Sequence, residues 1–590
     1  MRPLAAALLL LLSACATAPA VVLPRTEGEK LRAAVEQWFE EELRLNPVSA
    51  TYLGDHRYDD QFGNPASLEH ERGVSRACED GLARVRAVDP AGLSAADQVT
   101  RETFIHDCTT RLVSLRHPGR LLPLNQMGNP VLTLAMLGSG EGPQPLEDRQ
   151  GHEAWLRRAA GVVPWVDSAI AAMREGQAVG ITRPRVVLQR VVKQLDGLLE
   201  GPLEQSLFLR PLEKVPAGPE RERLATAYRE TFGQAVLPAI ARLRDFVRDE
   251  HLPRARESAG WSALPGGAGW YAAAVAASTT TSELSPADIH ALGLKEVARI
   301  RAEMEQVKAQ VGFPGDLQAF FAHVRTDPRY FFDSPEALLA AHRALKQRID
   351  AALPLLFTRF PRADYEVRPV EAFRAASAAG GEYQAPAADG SRPGIFYVNT
   401  HDLKAQPRYG LETLSLHEAA PGHHFQIALQ QELDLPRFRR FGGYTAFSEG
   451  WALYAESLGK ELGLFQQPMD YYGRLNDEQL RAMRLVVDTG LHALGWSREQ
   501  AIRYMLDNSS LAESDATAEV ERYMVWPGQA LGYKVGQLRM TALRARLQER
   551  LGARFDVKAF HAVMLEDGQL PLAVLERKLE RWADLQDRAR

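Results

Sequence analysis

The stretch LSLHEAAPGHHFQ (414–426) contains most of a zinc-binding signature and departs from it at one position. In that signature, H-E-x-x-H, two histidines one helical turn apart bind zinc, and the glutamate polarises a water molecule. His417 and Glu418 are in place, but Pro421 stands where the second histidine belongs, and His423 and His424 follow. The segment is therefore a modified metal site or a pair of helix-end histidines without a metal.

An unbroken helix cannot bring these histidines to one metal ion. Positions spaced like His417 and His423 point about 120° apart on a regular helix. Positions spaced like His417 and His424 lie about 10 Å apart along the axis, whereas zinc–nitrogen bonds are about 2 Å long. Pro421 lacks the N–H that would bond the His417 carbonyl, and Gly422 adds backbone freedom. The sequence therefore predicts a break at these two residues that returns His423 toward His417.

A second stretch, FSEGWALYAESL (447–458), offers a third metal ligand. Glu449 and Glu456 share one face of its predicted helix, while the large apolar residues between them can pack. Two histidines, one glutamate and one water make an open catalytic zinc site. Glu418 is then available as a general base, because a purely structural zinc site needs no free carboxylate beside it.

These stretches closely resemble the motifs of a widespread bacterial family of secreted lipoproteins. That family is known only as a domain of unknown function and is grouped with the zincin-type metallopeptidases. The resemblance covers most of the mature chain and is carried by HEAAPGHH (417–424), EGWALYAE (449–456), NPVSATYLGDHRYDD (46–60), TTTSELSPADIHALGLKEV (279–297), DGSRPGIFYVNT (389–400) and ERYMVWPGQALGYKVG (521–536).

The site also looks, more distantly, like that of helical deep-cleft peptidases: the Taq-type carboxypeptidases, thimet oligopeptidase and angiotensin-converting enzyme. Their Gly-His matches Gly422-His423, so the resemblance implies that His417, His423 and Glu449 bind zinc (Zn²⁺). Two extra residues separate the histidines here, and His424 therefore remains the alternative ligand. His424 and Glu456 are otherwise expected to support the ligands from behind.

Two tyrosines are candidates for stabilising the reaction's oxyanion. Oligopeptidases of the thimet type carry a glycine-spaced tyrosine that hydrogen-bonds the tetrahedral intermediate, and the stretch PGQALGYKVG (527–536) resembles it. Tyr533 is the first candidate and Tyr523 the second, because a developing oxyanion needs a fixed donor. For each tyrosine the alternative is a core position beside a tight helix contact.

Substrate-binding residues are expected near the strand-like stretch GIFYVNT (394–400). In many zincins an edge strand beside the active-site helix binds the substrate backbone by strand addition. Asn399 could add a hydrogen bond, and the fork of Arg408 suits a substrate carboxylate. The alternatives are a loop cap for Asn399 and a surface salt bridge for Arg408.

The N-terminus predicts export. MRPLAAALLLLLSACATAPA (1–20) has one early positive charge and a short apolar run, as secretory signal peptides do. Leu12 to Cys15 resembles the bacterial lipobox, in which the cysteine carries the lipid. The residue after Cys15 is alanine and not aspartate, which favours a periplasmic protein anchored in the outer membrane. The alternative is an ordinary signal peptide with an incidental cysteine.

Composition and periodicity indicate a large, mainly helical protein. The chain has 590 residues and a net charge of −5 without a basic stripe, so nucleic acid is not an expected partner. Helices are predicted over 27–45, from Pro286 to about Val311 and from Pro335 onward, with loops over 260–270 and 376–393. The expected division is a signal and tether (1–26), an N-terminal helical part (27–284) and a catalytic helical part (285–590). Whether Cys78 and Cys108 form a disulfide stays open.

The sequence thus predicts a mainly α protein, either one large composite domain or two lobes, with a small β element near the active-site helix. The resemblance implies a two-lobed zincin-like architecture with a deep cleft. The expected function is a lipid-anchored periplasmic zinc peptidase that cleaves short peptides. One alternative is a zinc hydrolase of a non-peptide amide or ester. The other is a non-catalytic peptide-binding lipoprotein of the envelope, against which the intact Glu418 argues. The oligomeric state, and exo- or endopeptidase mode, do not follow from the sequence.

Overall fold

The structure, a computed structural model, describes residues 25–588 except 141, 372–374, 376–377, 388–389 and 391. In this part of the chain the protein is mainly helical and has one small three-stranded sheet. The mainly helical fold expected from the sequence is therefore confirmed. The predicted signal peptide and Cys15 lie outside the described residues.

Helices connected by short turns make up most of the chain. The α-helices of the first half are Glu27–Leu45, Pro47–Tyr52, Leu68–Arg86, Ala95–Ser114, Pro130–Leu137, Arg149–Ala160, Val162–Ala178, Arg185–Leu199, Pro219–Tyr228, Leu237–Asp245 and Gly267–Thr279. Those of the second half are Pro286–Gln310, Leu317–Thr326, Pro335–Ala352, Leu411–Glu418, His423–Gln431, Arg437–Phe441, Thr445–Ser457, Pro468–His492, Arg498–Asn508, Glu513–Val525, Leu531–Leu551, Val557–Leu565 and Leu572–Arg588. Two π-helical stretches, Arg229–Val236 and Phe246–His251, flank Leu237–Asp245.

Local capping signals set the helix boundaries that the sequence predicted. The first helix has the predicted bounds, 27 to 45, and begins with a capping box in which the Thr26 hydroxyl accepts from the Glu29 N–H. Ser285 caps the helix Pro286–Gln310 in the same way, and the Ser334 hydroxyl accepts from the Ala337 N–H. These boundaries depend on nearby residues alone, which is why the sequence locates them.

Two segments predicted as loops contain regular structure. The segment 260–270 includes the start of the helix Gly267–Thr279, where buried Trp270 and Tyr271 pack against Trp261 and His492. The segment 376–393 includes the strand Gly381–Gln384, which obtains its hydrogen bonds from a partner strand distant in sequence. The loop prediction is wrong over 267–270 and 381–384, where tertiary packing overrides a weak local propensity, and holds for the other described residues of both segments.

The sheet has three strands: β1 (Tyr365–Pro369), β2 (Gly381–Gln384) and β3 (Gly394–Val398), in the order β1-β3-β2. β3 pairs in parallel with β1 and antiparallel with β2, with Tyr365 opposite Gly394 and Gly381 opposite Val398. The strand predicted within GIFYVNT is confirmed, but its expected edge position is wrong. β3 is the central strand, so both of its hydrogen-bonding edges are already used.

Close helix crossings at glycine build the frame around the metal-site segments. The helices Thr445–Ser457 and Leu531–Leu551 cross where a Cβ on Gly450 would lie 2.6 Å from the Cα of Gly536. The helices Pro286–Gln310 and Pro468–His492 meet at Gly293, where an added Cβ would lie 2.7 Å from the Cβ of Leu485. Backbones this close leave no room for side chains, so the crossing points are fixed.

The hydrophobic core runs across the predicted boundary near residue 284. One buried cluster joins Val99 and Ala172 from the N-terminal part to Leu416, Trp451 and Leu547 from the catalytic part. A second cluster is confined to the N-terminal part and surrounds the buried tryptophans Trp155 and Trp165. The division at residue 284 stays a prediction.

Two observations bear on the expected place in the cell envelope. Cys78 and Cys108 are buried, unpaired thiols in the helices Leu68–Arg86 and Ala95–Ser114. Among the described residues, none of the helices combines the length and the apolar character needed to cross a bilayer.

Candidate metal centre

The first metal-site segment is the His417 helix (Leu411–Glu418), which ends one turn before Pro421. The chain turns through Ala419 and Gly422, and the Ala420–Pro421 peptide bond is cis. At Gly422 an added Cβ would lie 1.9 Å from the carbonyl oxygen of His417, so only glycine allows this approach. The break that the sequence predicted is present.

The break brings the two histidines together. His423 is the first residue of the next helix, the His423 helix (His423–Gln431). The rings of His417 and His423 lie with their centroids 4.8 Å apart and their planes at 88°. The indole N–H of Trp451 donates to the carbonyl oxygen of Pro421 at 2.8 Å, which ties the turn to the next segment.

The third segment, the Glu449 helix (Thr445–Ser457), places a carboxylate between the two rings. Oε2 of Glu449 lies 3.5 Å from Nε2 of His417 and 3.4 Å from Nε2 of His423. The potential ligand atoms of the three residues all lie within 4.8 Å of one another. These separations exceed ordinary hydrogen-bond lengths and approach the roughly 3.3 Å between ligand atoms around a tetrahedral zinc ion.

Glu456 lies about two turns after Glu449 on the same helix and fixes the orientation of the His417 ring. Its Oε1 lies 2.7 Å from Nδ1 of His417, and its side chain is 1% exposed. The bond occupies Nδ1 and leaves Nε2 directed at Glu449. Metal-binding histidines are commonly fixed by a carboxylate in this manner.

The charges of the site favour an ionised carboxylate. Burial lowers the pKa of His417, but its contacts with Glu449 and Glu456 outweigh burial and raise that pKa to about 10. Burial raises the pKa of Glu449, but the two histidines outweigh burial and hold that pKa well below its ordinary value. Glu449 is therefore a carboxylate at neutral pH, the form that binds metals, and a metal ion bound here would displace the proton of His417.

The residues present fit a zinc ion. Oε2 of Glu449 is buried and accepts no hydrogen bond from any described residue, an arrangement that calls for a positive partner. Two imidazole nitrogens and one carboxylate oxygen are the ligand set of open zinc sites. Glu418, half-buried, follows His417 directly, and its charge acts on that histidine.

His424 faces away from this group and toward the sheet. It is buried, and its Nδ1 lies 3.0 Å from the hydroxyl of Tyr383 on β2. Its ring also packs on Tyr365 of β1, with ring centroids 4.8 Å apart. Burial lowers the pKa of His424 to about 4, so the ring is neutral. The geometry groups His423, and not His424, with His417 and Glu449.

The two candidate tyrosines occupy different environments. Tyr533, half-buried, follows Gly532, where an added Cβ would lie 3.1 Å from the amide nitrogen of Ala446 on the Glu449 helix. Burial and then the charge of Glu449 raise the pKa of Tyr533. Tyr523 is 1% exposed, and its hydroxyl donates to Glu519 and accepts from Nε of Arg484. The structure therefore places Tyr533 beside the site and Tyr523 within a buried ion-pair network.

Asn399 and Arg408 are held by contacts within the chain. The amide of Asn399 donates to the carbonyls of Ala375 and Ala378, and its Oδ1 accepts from the His401 N–H. Exposed Arg408 donates to the carbonyl of Phe331 at 2.8 Å. Nη2 of Arg408 also lies 3.8 Å from Oδ2 of Asp333, so these contacts match the alternatives of a loop cap and a surface salt bridge, and a substrate role for either residue stays a prediction.

Three arginines near Tyr533, named here the guanidinium cluster, were missed by the sequence analysis: Arg481, Arg484 and Arg522. Cζ of Arg484 lies 4.3 Å and Cζ of Arg522 lies 5.8 Å from the centroid of the Tyr533 ring. The available signal was a charged stripe on one face of the helix Pro468–His492, formed by Asp477, Arg481, Arg484 and Asp488.

Comparison with known proteins gives a family and a fold. Residues 47–579 match the family described as "Bacterial protein of unknown function (DUF885)". The crystal structure of a "putative lipoprotein" from Colwellia psychrerythraea is 31% identical, covers 95% of this chain and 100% of its own, and superposes with a TM-score of 0.88. A "putative lipoprotein of unknown function" from Shewanella oneidensis is 18% identical, with 94% and 99% coverage and a TM-score of 0.74. No curated protein matches the chain.

Proposed function

The chain belongs to the DUF885 family of bacterial proteins, and we propose that it is a zinc-dependent hydrolase of the gluzincin type that cleaves short peptides. One observation carries the proposal: the ligand atoms of His417, His423 and Glu449 converge within 4.8 Å, with a half-buried Glu418 next in sequence to one of them. A structural site would have no need of that second carboxylate.

His417, His423 and Glu449 would hold the metal, and Glu456 would keep His417 in the orientation that directs Nε2 at it. Zinc bound there would supply Lewis-acid polarisation of a water molecule and of the scissile carbonyl. Glu418 would accept a proton from the attacking water and return it to the leaving amine.

Tyr533 is the donor proposed for the developing oxyanion. Burial and the charge of Glu449 raise its pKa above the ordinary value, so the phenol keeps its proton at neutral pH. A protonated phenol can donate a hydrogen bond to an oxygen as that oxygen becomes negative. The ring rests on Arg484, which limits its movement.

A two-lobed arrangement with a deep cleft is proposed for substrate access. Two cavities, of about 550 and 900 Å³, are lined by residues from both sides of the predicted boundary at 284. The smaller joins Trp38 to Tyr444, and the larger joins His117 to Trp526. Neither cavity is lined by His417, His423 or Glu449, so the proposal of short peptides as substrates rests on the resemblance to deep-cleft peptidases.

The proposed location is the periplasmic face of the outer membrane, with the protein anchored by a lipid on Cys15. The lipobox-like stretch Leu12 to Cys15 supports this location, and the two relatives of solved structure carry the description "putative lipoprotein". Interaction with the membrane would be through that lipid alone.

Metal removal tests the proposal. Purified mature protein should contain about one zinc ion per chain and hydrolyse a mixture of short peptides. A chelator should abolish hydrolysis, and added zinc should restore it, because three side-chain ligands without metal cannot polarise water. Hydrolysis that persists after complete removal of zinc, checked by elemental analysis, would contradict the metal's role.

A further inference from the structure

The guanidinium cluster beside Tyr533 has more hydrogen-bond donors than acceptors. Nε of Arg481, Nη1 of Arg484 and Nε of Arg522 are buried and have no acceptor among the described residues. Arg484 is 5% exposed as a residue, and the side chains of the other two are each 14% exposed. Buried donors without acceptors are costly, so three of them in one cluster call for an explanation such as a bound ligand.

The carboxylates around the cluster do not pair with all three guanidinium groups. Glu519 accepts from Arg484 at 2.9 Å and lies 3.3 Å from Arg522. Arg481 has only a distant carboxylate contact, 3.6 Å from Asp477, and its hydrogen bond goes to the Asp477 backbone carbonyl. The charge of Glu456 also acts on Arg481, but that carboxylate is bonded to His417. Arg481 is thus the member of the cluster best able to donate hydrogen bonds to a further carboxylate.

Tyr533 connects the cluster to the metal centre. Its ring lies against Arg484 and Arg522, and its helix crosses the Glu449 helix where a Cβ on Gly450 would lie 2.6 Å from the Cα of Gly536. The backbone supports this proximity, because a Cβ on neighbouring Gly532 would lie 3.1 Å from the amide nitrogen of Ala446 on the Glu449 helix. The cluster therefore borders Tyr533, whose helix packs directly against the helix that carries Glu449.

We infer that the guanidinium cluster binds the C-terminal carboxylate of the peptide substrate, so that the enzyme removes one or a few residues from the carboxyl end. This inference rests on the proposed peptidase function. The planar fork of arginine matches a carboxylate, and every unmodified peptide carries one at its C-terminus. Because an extended residue spans about 3.3–3.6 Å, a carboxylate held this near the metal limits the length of the released fragment.

The test compares peptides that differ only at the C-terminus. Zinc-loaded wild-type protein is given one short peptide series as free acids and as C-terminal amides, and kcat/KM is measured for each pair. Amidation removes the negative partner of the proposed charge pair, so we expect it to lower kcat/KM about 100-fold. Product masses should show cleavage near the carboxyl end of the free acids. Equal rates for acids and amides would overturn the inference.

A C-terminal amide whose last residue is glutamate has a side-chain carboxylate but no terminal carboxylate, so it shows which of the two the cluster binds. If the terminal carboxylate is the ligand, this amide should react as slowly as the other amides. If it reacts as fast as the free acids, a substrate side chain is the ligand and the assignment to the C-terminus is wrong.

Variants assign the effect to the cluster. In Arg481→Gln the acid-to-amide ratio should fall from about 100 to below about 10, because the uncharged amide cannot replace the guanidinium fork. Arg474→Gln is the matched control: it lies on the same helix, its side chain is 12% exposed, and it already has a carboxylate partner, Glu478, at 3.0 Å. This control should keep the wild-type ratio. A ratio that is unchanged in Arg481→Gln would overturn the inference.

The failures of the two proposals are distinguishable. If no peptide of either series is hydrolysed with zinc in place, the peptidase function itself fails. If acids and amides are hydrolysed at equal rates, the peptidase function stands and the carboxylate site fails. The comparison on wild-type protein needs no variant, so misfolding of Arg481→Gln would leave it intact.

Discussion

Glu449 is the residue on which the metal centre depends most directly. It alone faces both histidine nitrogens, and its buried oxygen has no hydrogen-bond donor among the described residues. In Glu449→Ala we expect zinc affinity to fall by more than the roughly 10–100-fold typical for loss of an outer supporting residue. Elemental analysis after dialysis against a zinc buffer measures this.

The matched control for that substitution is Glu461→Ala, which removes a carboxylate of a surface pair with Arg544. It should leave zinc content at the wild-type value. If zinc content is unchanged in Glu449→Ala, Glu449 is not a zinc ligand.

The adjacent histidines should behave differently on substitution. In His423→Ala we expect zinc to be lost, because Nε2 of His423 faces Glu449. In His424→Ala we expect zinc content close to wild type but lower thermal stability, because that ring packs between the metal-site turn and strands β1 and β2. The two measurements are metal content and the midpoint of thermal unfolding. The reverse pattern, with zinc lost only in His424→Ala, would show that the wrong histidine was chosen.

At this scale the sequence located the ligand candidates but not their surroundings. His417, Glu418 and Glu449 are recognisable because their spacing on predicted helices carries a chemical meaning. Arg481 and Arg484 are not, because their significance depends on the approach of Tyr533 from a helix that is distant in sequence. No local sequence pattern indicates a contact between helices that are distant in sequence.

At the scale of elements, the broken helix can be tested through Gly422. In Gly422→Ala the new Cβ would lie 1.9 Å from the His417 carbonyl oxygen and 2.3 Å from that of Leu416, both backbone atoms that cannot move aside. We expect a loss of roughly 2–4 kcal/mol in stability and weaker zinc binding. Thermal unfolding with and without zinc measures both effects.

Gly197→Ala is the contrasting control. Gly197 lies in the helix Arg185–Leu199 with open space where a Cβ would be. Alanine there should stabilise the protein by about 0.5–1 kcal/mol through helix propensity. If Gly422→Ala were as well tolerated as this control, the close turn would not be essential to the site.

The sheet shows why strand order was beyond the sequence. GIFYVNT was recognisable as a strand from its β-prone residues, but whether it lies at an edge depends on which segments pair with it. β2 has four residues in an Ala/Gly/Pro-rich segment, and its strand character comes from antiparallel pairing with β3. The expectation of strand addition at β3 failed for this reason.

At the scale of the whole molecule, Asp488 links segments that are far apart in sequence. Its Oδ1 accepts from the hydroxyl of Tyr271 and from the N–H of Gly528, a residue in the left-handed region with φ of 80°. Burial raises the pKa of Asp488 to about 7, although these hydrogen bonds oppose it. The folded protein therefore keeps a proton on this carboxyl at a pH where the unfolded chain, with a pKa of about 3.9, has lost it.

This difference gives a pH dependence with a definite sign. The stability from the protonated form is fully present below pH about 4 and is lost as the pH rises toward 7, by roughly 2–4 kcal/mol. Asp488→Asn removes the titration, so wild type should lose stability relative to this variant between pH 4 and 7. Thermal unfolding of both proteins across that range measures the difference. Parallel pH profiles would contradict this account of Asp488.

The most direct test of the central claim is mass spectrometry of a mixed peptide library incubated with zinc-loaded mature protein, with Glu418→Gln as control. Glutamine keeps the size of Glu418 but cannot accept the proton from water. We predict cleavage by the wild type, none by Glu418→Gln, and equal zinc in both proteins. If the wild type cleaves no peptide with zinc confirmed in place, the protein is not a peptidase, and a non-peptide amide or ester becomes the substrate class to examine.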